Sequence, residues 1–174
     1  MIRAGIITED DPIELLDGWI TPKTTKSAPH LAAVVAVNQT LVRAVPRRWC
    51  VVPEHPMRLA ISMPEPDMMV VRGDAHSYID RLPRAEDVAL VVEISDTSLS
   101  HDQGLKKTIY AQAGIPCYWL VNLIDRRIEE YTEPTVIGEN ADYRQRRDYS
   151  GDDEIALVLD GRQVAMVAMR DLLP

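Results

Sequence analysis

Apolar and polar positions recur along this chain with two different periods, and the changes of period mark its elements. Residues 12–22 carry short apolar runs, Ile13 to Leu16 and Trp19-Ile20, on either side of Asp17-Gly18, a dipeptide that favours the tight turn of a hairpin. From His30 to Val45 the chain is apolar nearly all round, and Pro29 suits a first helical turn. A helix is predicted there, either buried or shared with a second subunit. Short β-prone pieces follow at 49–52 and 57–61. The stretch Pro66 to Arg72 predicts a strand whose alternation sets Asp67, Met69 and Val71 on one face. A loop then runs to Asp87. Val88 to Ser95 is apolar on both faces, the pattern of a strand at the centre of a covered sheet, and Glu93 is its exception.

Ser100-His101-Asp102-Gln103 has the spacing of a capping box, so a second helix is expected to start there and to stop at Gly114. Ile115 to Leu123 reads as another apolar strand. Strands are predicted at 127–132, 143–149 and 154–159, with 133–142 a loop and Ala168 to Leu173 a short helix. Strands alternating with helices point to an α/β fold: a mixed central sheet flanked by helices, with extra hairpins at the two ends of the chain. At 174 residues and 46 % hydrophobic, one core and one domain spanning 1–174 are expected.

Charge narrows the partners. A formal net charge of -8 argues against a broad basic surface that tracks many phosphates, so any contact with nucleic acid must be local. Part of the acidic excess is what a bound cation would offset. Arg126, Arg127, Arg144, Arg146 and Arg147 read as solvated charge on edge strands. Cys50 and Cys117 lie far apart, with no Cys/His cluster for zinc, and read as reduced, buried thiols. Arg3 is not followed by an apolar stretch of signal-peptide length, and no run approaches the roughly 20 residues of a membrane span, so the expected location is the cytoplasm.

Candidate chemistry starts from Glu93. A carboxylate in the middle of a doubly covered strand loses its hydration, and an unpaired ion there costs several kcal/mol. It needs a metal, a buried cation or a proton. Asp67 can supply a second carboxylate on the same side, and two such groups suit Mg²⁺ or Mn²⁺, which prefer oxygen ligands and keep several waters. If Leu105, Ile109 and Ala113 form the buried stripe of the second helix, Lys106 lies about 100° round from it and reaches the sheet rim, whereas Lys107 points to water. Each residue has a plainer role as well. Glu93 can be a structural acid paired with Lys106, Asp67 a strand-start residue, and Lys106 an i,i+4 partner of Asp102. His30 opens the first helix and Glu14 sits in an early apolar element, both open to structural or ligand roles.

Taken together, Pro64 to Met68, the block Leu90 to Leu99, the helix Asp102 to Tyr110 and the run Ala113 to Val121 resemble the Uma-two family, a bacterial group within the restriction-endonuclease-like, PD-(D/E)XK nuclease superfamily. Glu14 to Gly18 matches that family's opening motif, so the resemblance covers most of the chain. It implies a restriction-endonuclease-like fold and a metal-dependent endonuclease acting on nucleic acid, DNA above all. It also implies metal binding by Asp67 and Glu93 with Mg²⁺ or Mn²⁺. In the commonest superfamily pattern the lysine stands two residues after the second acid, where this chain has Ser95, so the resemblance passes that role to Lys106. His30 and Glu14 match family positions near the site, and Tyr110 or His30 would help to position the water or the metal. Cys117 and Asn122 depart from the family's usual acids. A non-catalytic binding or regulatory module on the same fold is the alternative, and the apolar first helix points to a homodimer.

Overall fold

The computed structural model describes residues 8, 11–23, 25–138 and 140–174; Arg3 lies outside them. Strands β1 (Ile13–Leu16) and β2 (Trp19–Pro22) pair antiparallel about the Asp17-Gly18 turn. Both turn residues have positive φ, 49° and 79°, the geometry that makes Asp-Gly suited to a two-residue hairpin. Helix α1 (Ala28–Ala44) is capped by the Ser27 hydroxyl, which accepts from the His30 amide, and has Pro29 in its first turn.

Six strands form the central sheet in the order β3 (Trp49–Pro53), β4 (Met68–Arg72), β5 (Val88–Ser95), β6 (Cys117–Asn122), β7 (Arg127–Ile137), β8 (Asn140–Ser150). Only β5 and β6 run parallel; the other neighbours are antiparallel, so the sheet is mixed. The parallel pair needs a crossover, supplied by α2 (Leu99–His101), a π-helical turn over Asp102–Lys106, and α3 (Lys107–Gln112). Strands β9 (Glu154–Leu159) and β10 (Arg162–Ala168) form a separate hairpin, followed by a short helical turn, Met169–Asp171.

Alternation along the strands divides the interior into two cores. Leu90, Val92 and Ile94 of β5 pack with α1, β9 and the C-terminal turn, while Val91 packs on the opposite face with Met69, Ile109, Tyr110, Tyr118 and Leu120. Glu93 shares the Val91 face, so its carboxylate must enter the second core, beside α3.

Several expectations are corrected. Residues 57–61 form no strand, only an isolated bridge between Arg58 and Arg84. The predicted loop at 133–142 is instead the far arm of the β7–β8 hairpin, with Pro134 opposite Tyr143 and Ile137 opposite Asn140. Proline is tolerated because β6 pairs β7 only as far as Thr132, which leaves that arm with one neighbour. Strand β4 starts at Met68, so Asp67 stands just before it. Cys117 is buried, but Cys50 is half-buried and donates its thiol to the Gly73 carbonyl; both are free. The expected C-terminal hairpin forms between β9 and β10, although no range had been predicted for its second strand.

Candidate active site

The β4–β5 register creates the site. Met68 pairs with Val92, which brings Asp67 and Glu93 level at the ends of two hydrogen-bonded strands. The Asp67 amide donates to Glu93 Oε2 at 3.4 Å, and the Ile94 amide donates to Asp67 Oδ2 at 2.8 Å. Both carboxylates are nearly closed to water, 7 % and 3 % exposed, as is Lys106 at 7 %. Lys106 Nζ lies 3.0 Å from Glu93 Oε1 and 3.3 Å from Glu14 Oε1. The Tyr110 hydroxyl donates to Glu93 Oε1 at 2.5 Å from below. His30 Nε2 stands 3.1 Å from Asp67 Oδ2, while its Nδ1 is buried with no partner among the described residues. The tautomer with the proton on Nε2 follows, because the other would leave a buried donor unpaired and face a lone pair to the carboxylate.

Glu14, His30, Asp67, Glu93 and Lys106 therefore meet in one pocket, with Tyr110 beneath it. The β1–β2 hairpin roofs the pocket, held by the Met63 amide on the Leu15 carbonyl and by the Asp17 amide on the Ser62 hydroxyl. About 60 Å³ is open to water-sized occupants, room for a small hydrated ion. Ser95 is buried on the same strand and gives its hydroxyl to Asp102.

Lys106 arrives by a route the helical pattern misses. The helix begins at Leu99, not at a Ser100 capping box; Ser100 is exposed, and Gln103 donates to Glu129 rather than back to the cap. Through Asp102–Lys106 the turns widen to an i→i+5 pattern, which takes Leu105 out of line with Ile109. Leu105 is consequently 38 % exposed, and Asp102, Lys106 and Tyr110 face inward. Lys106 does reach Glu93, but the buried Leu105 stripe from which that reach was argued does not form. Lys107 points away from the pocket to Asp142, at 2.8 Å.

Electrostatics follow from crowding acids in a dry place. Burial drives the Glu93 carboxyl up to about 8; Lys106 opposes this, and the nearby Asp67, Asp102 and Glu14 add to it. Burial would also raise Asp67, but the hydrogen bonds from His30 and the Ile94 amide, with Lys26 at 3.6 Å, hold it below the usual carboxylate range. Burial works against the Lys106 charge, and the surrounding Glu93, Glu14 and Asp102 more than reverse it, so Lys106 stays protonated. Burial carries the Tyr110 hydroxyl well above its ordinary value, which keeps it a donor to Glu93.

Two contributors, Lys26 and Glu129, were not singled out from the sequence, and Asp102 was read there only as a neighbour of Lys106 one helical turn away. Lys26 sits in the loop before α1, and nothing in its neighbourhood marks it. Asp102 is buried, accepts from Ser95 and Ser98, and closes one side of the pocket. Glu129 of β7 is fully buried and takes donors from Gln103, Asn122, Tyr131 and Arg127, with Arg146 at 3.3 Å. Arg127 and Arg146 are thus more than solvated edge charge, and Asn122 supplies a donor where an acid would face Glu129.

The set of metal-suited donors at this site is small. Among the described residues no group of three or more His, Cys, Asp or Glu side chains forms a ready metal cage. Asp67 Oδ1 and Glu93 Oε2 nevertheless have only weak or distant partners, so each carboxylate keeps an oxygen with spare capacity. Two hard oxygens completed by waters are what Mg²⁺ accepts.

A mixed six-stranded sheet with a helical crossover between its two parallel strands has the restriction-endonuclease-like architecture. The chain belongs to the Uma2 family, described as "Putative restriction endonuclease", which matches residues 4–167. A crystal structure from Anabaena variabilis, described as "a putative nuclease belonging to DUF820", is similar with a TM-score of 0.72 at 15 % identity, covering 96 % of this chain and 93 % of that one. At that identity the likeness is one of fold. No curated protein matches this chain. Among the described residues no helix is long and apolar enough to cross a membrane.

Proposed function

We propose that this chain is a metal-dependent endonuclease that hydrolyses phosphodiester bonds in nucleic acid, DNA above all, with Mg²⁺ or Mn²⁺ as cofactor. Chief support comes from the convergence of two desolvated carboxylates, Asp67 and Glu93, with a buried ammonium, Lys106, in a pocket open to solvent. Asp67 and Glu93 would hold the ion through the oxygens that lack strong partners. When bound, a divalent cation polarises the phosphate and acidifies a water.

The chain's own groups do the rest. His30 and the Ile94 amide fix the orientation of Asp67, and Tyr110 fixes Glu93. Lys106, held between Glu93 and Glu14, is placed to orient the attacking water and to offset charge on the phosphoryl oxygens in the transition state. Residues 1–174 act as one domain in this scheme, assembled as a homodimer through the outer face of α1.

Cleavage of plasmid and of single-stranded DNA, with and without Mn²⁺, tests the assignment. Wild type is expected to cut only with the ion, and Asp67→Ala, Glu93→Ala and Lys106→Ala each to lose at least about a hundredfold, in line with the loss of an electrostatic catalytic group. Activity surviving all three substitutions would sink it.

One observation favours a rival, a nuclease-fold binding or regulatory module without turnover: Lys106 already has two carboxylate partners, as a purely structural ion pair would. Calorimetry separates the two, since the rival predicts no Mn²⁺ uptake that depends on Asp67 and Glu93.

A further inference from the structure

The hairpin above the pocket has a face that the chemistry so far leaves unused. In the β1–β2 register Glu14 stands opposite Thr21 and Leu16 opposite Trp19, and residues directly opposite share a face. Glu14, Leu16 and Thr21 all line the pocket. Trp19 is therefore on the pocket side of the hairpin, yet it is 77 % exposed. Trp49 and Trp119 are buried, as a large aromatic normally is.

Alternation extends this face past the end of β2. Trp19, Thr21 and Lys23 fall at every second position, and the Lys23 amide continues the pairing onto the Pro12 carbonyl. Lys23 and Lys26 line the pocket mouth, paired with Glu65 and Glu54. An indole thus begins a track of about 13 Å, at roughly 3.3 Å per residue, that ends in ammonium groups beside the acids.

Resting on the nuclease reading above, we infer that this track receives an unpaired nucleic-acid strand: a base one or two nucleotides away from the scissile phosphate stacks on Trp19 while Lys23 and Lys26 meet the backbone between them. Three features select an unpaired strand over an intact duplex. Asp67, Glu93 and Lys106 lie beneath a roof in a pocket of small volume, where a flexible backbone can bend in but the broad surface of a duplex cannot. An exposed indole offers a π-face that any splayed base can use, whereas bases in a duplex are already stacked. Finally, a chain of net charge -8 lacks the wide basic footprint that duplex binding uses, and two local lysines with one aromatic suit a short single-stranded site.

The test is binding, with no ion added so that cutting does not intervene. A labelled single-stranded oligodeoxythymidylate, its oligoribouridylate equivalent and the DNA strand annealed to its complement are titrated by fluorescence anisotropy, with tryptophan emission read in parallel. Expected are tighter binding of the unpaired strands than of the duplex by at least about tenfold, and quenching of emission that disappears in Trp19→Ala. Stacking of one base corresponds to a loss of about five- to hundredfold for Trp19→Ala, with Trp19→Tyr retaining most of the affinity. As the side chain is solvent-exposed, the variants are expected to fold, which circular dichroism checks. Duplex bound as tightly as single strand, Trp19→Ala binding like wild type, or a Trp19→Ala change in oligomeric mass that shows a second copy covers the face would each overturn the inference. Strand binding with Trp19 dependence but no cleavage under any ion would refute the nuclease and leave the strand site standing.

Discussion

Glu93 stands at a position where the fold removes water from a carboxylate, and its proton affinity records the cost. The unfolded carboxyl titrates near 4.5, and burial with neighbouring acids takes the folded one to about 8. An acid with a raised folded pKa binds its proton more tightly in the native state. Its contribution to stability is therefore complete below about pH 4.5 and is lost as pH rises through about 8. Without added ion, the unfolding free energy is expected to fall between about pH 5 and pH 9, by an amount on the order of a few kcal/mol, and the melting temperature with it. Glu93→Gln, which stays neutral, should flatten that decline. Because a cation competes with the same proton, apparent Mg²⁺ affinity should rise over about pH 7 to 9 in wild type. A melting profile with the same slope in wild type and Glu93→Gln would show that Glu93 is not the group responsible. At this scale Glu93 was conspicuous in the sequence, since it is the one acid in an eight-residue strand with six apolar positions. Glu129 was not. Arg127, Glu129 and Tyr131 alternate like a solvated edge face, and only the π-helical turn packed on it and the Arg146 side chain from the neighbouring β8 bury it.

Elements were legible where one period ran uninterrupted. The hairpin at 12–22, α1 and β5 all form where their patterns place them, because turn chemistry, helical capping and two-sided burial each leave a local trace. The 133–142 arm left a misleading one: Pro134 and Gly138 read as a loop, although the pairing partner that makes them a hairpin lies in residues 140–143. The π-helical turn is the element that decides the site, and it is held from outside by Gln103, which donates to both oxygens of Glu129 at 2.9 and 3.0 Å. Helical periodicity contains no information about that anchor, so Leu105 was read as buried, although Asp102, Lys106 and Tyr110 were read as one stripe toward the strand end. Gln103→Ala is expected to cost about 1 kcal/mol in denaturation, a modest loss because Glu129 keeps its other donors. Gln103→Glu should cost more, since it sets a carboxylate against a buried carboxylate, and it should weaken Mn²⁺ binding by loosening the turn that carries Lys106. Chemical denaturation and calorimetry on the two variants check this. A Gln103→Glu protein as stable as wild type would remove the anchor from the account of the site.

For the whole molecule, charge and apolar surface pull in opposite directions. A net charge of -8 on each chain repels a second copy, and the repulsion weakens as salt screens it. Against this stands α1, whose inward residues Ala33, Val37 and Leu41 are buried in the first core while Leu31, Val35 and Val42 remain exposed on other faces of the helix. Ordinary amphipathic helices carry charge there. The sequence pattern left open whether α1 was buried or shared, and the structure accounts for only its inner stripe. If the proposed homodimer uses the exposed apolar positions, light scattering should give twice the chain mass of 19.6 kDa, and dimerisation should tighten as salt rises from low to physiological strength. Most interfaces dominated by opposite charges weaken over that range, so the direction discriminates. Leu31→Glu with Val42→Glu should return the mass to that of one chain without lowering the unfolding free energy by more than about 1 kcal/mol, because neither side chain belongs to a core. A single-chain mass at every salt and protein concentration, or a double variant that still dimerises, would move the interface elsewhere or abolish it.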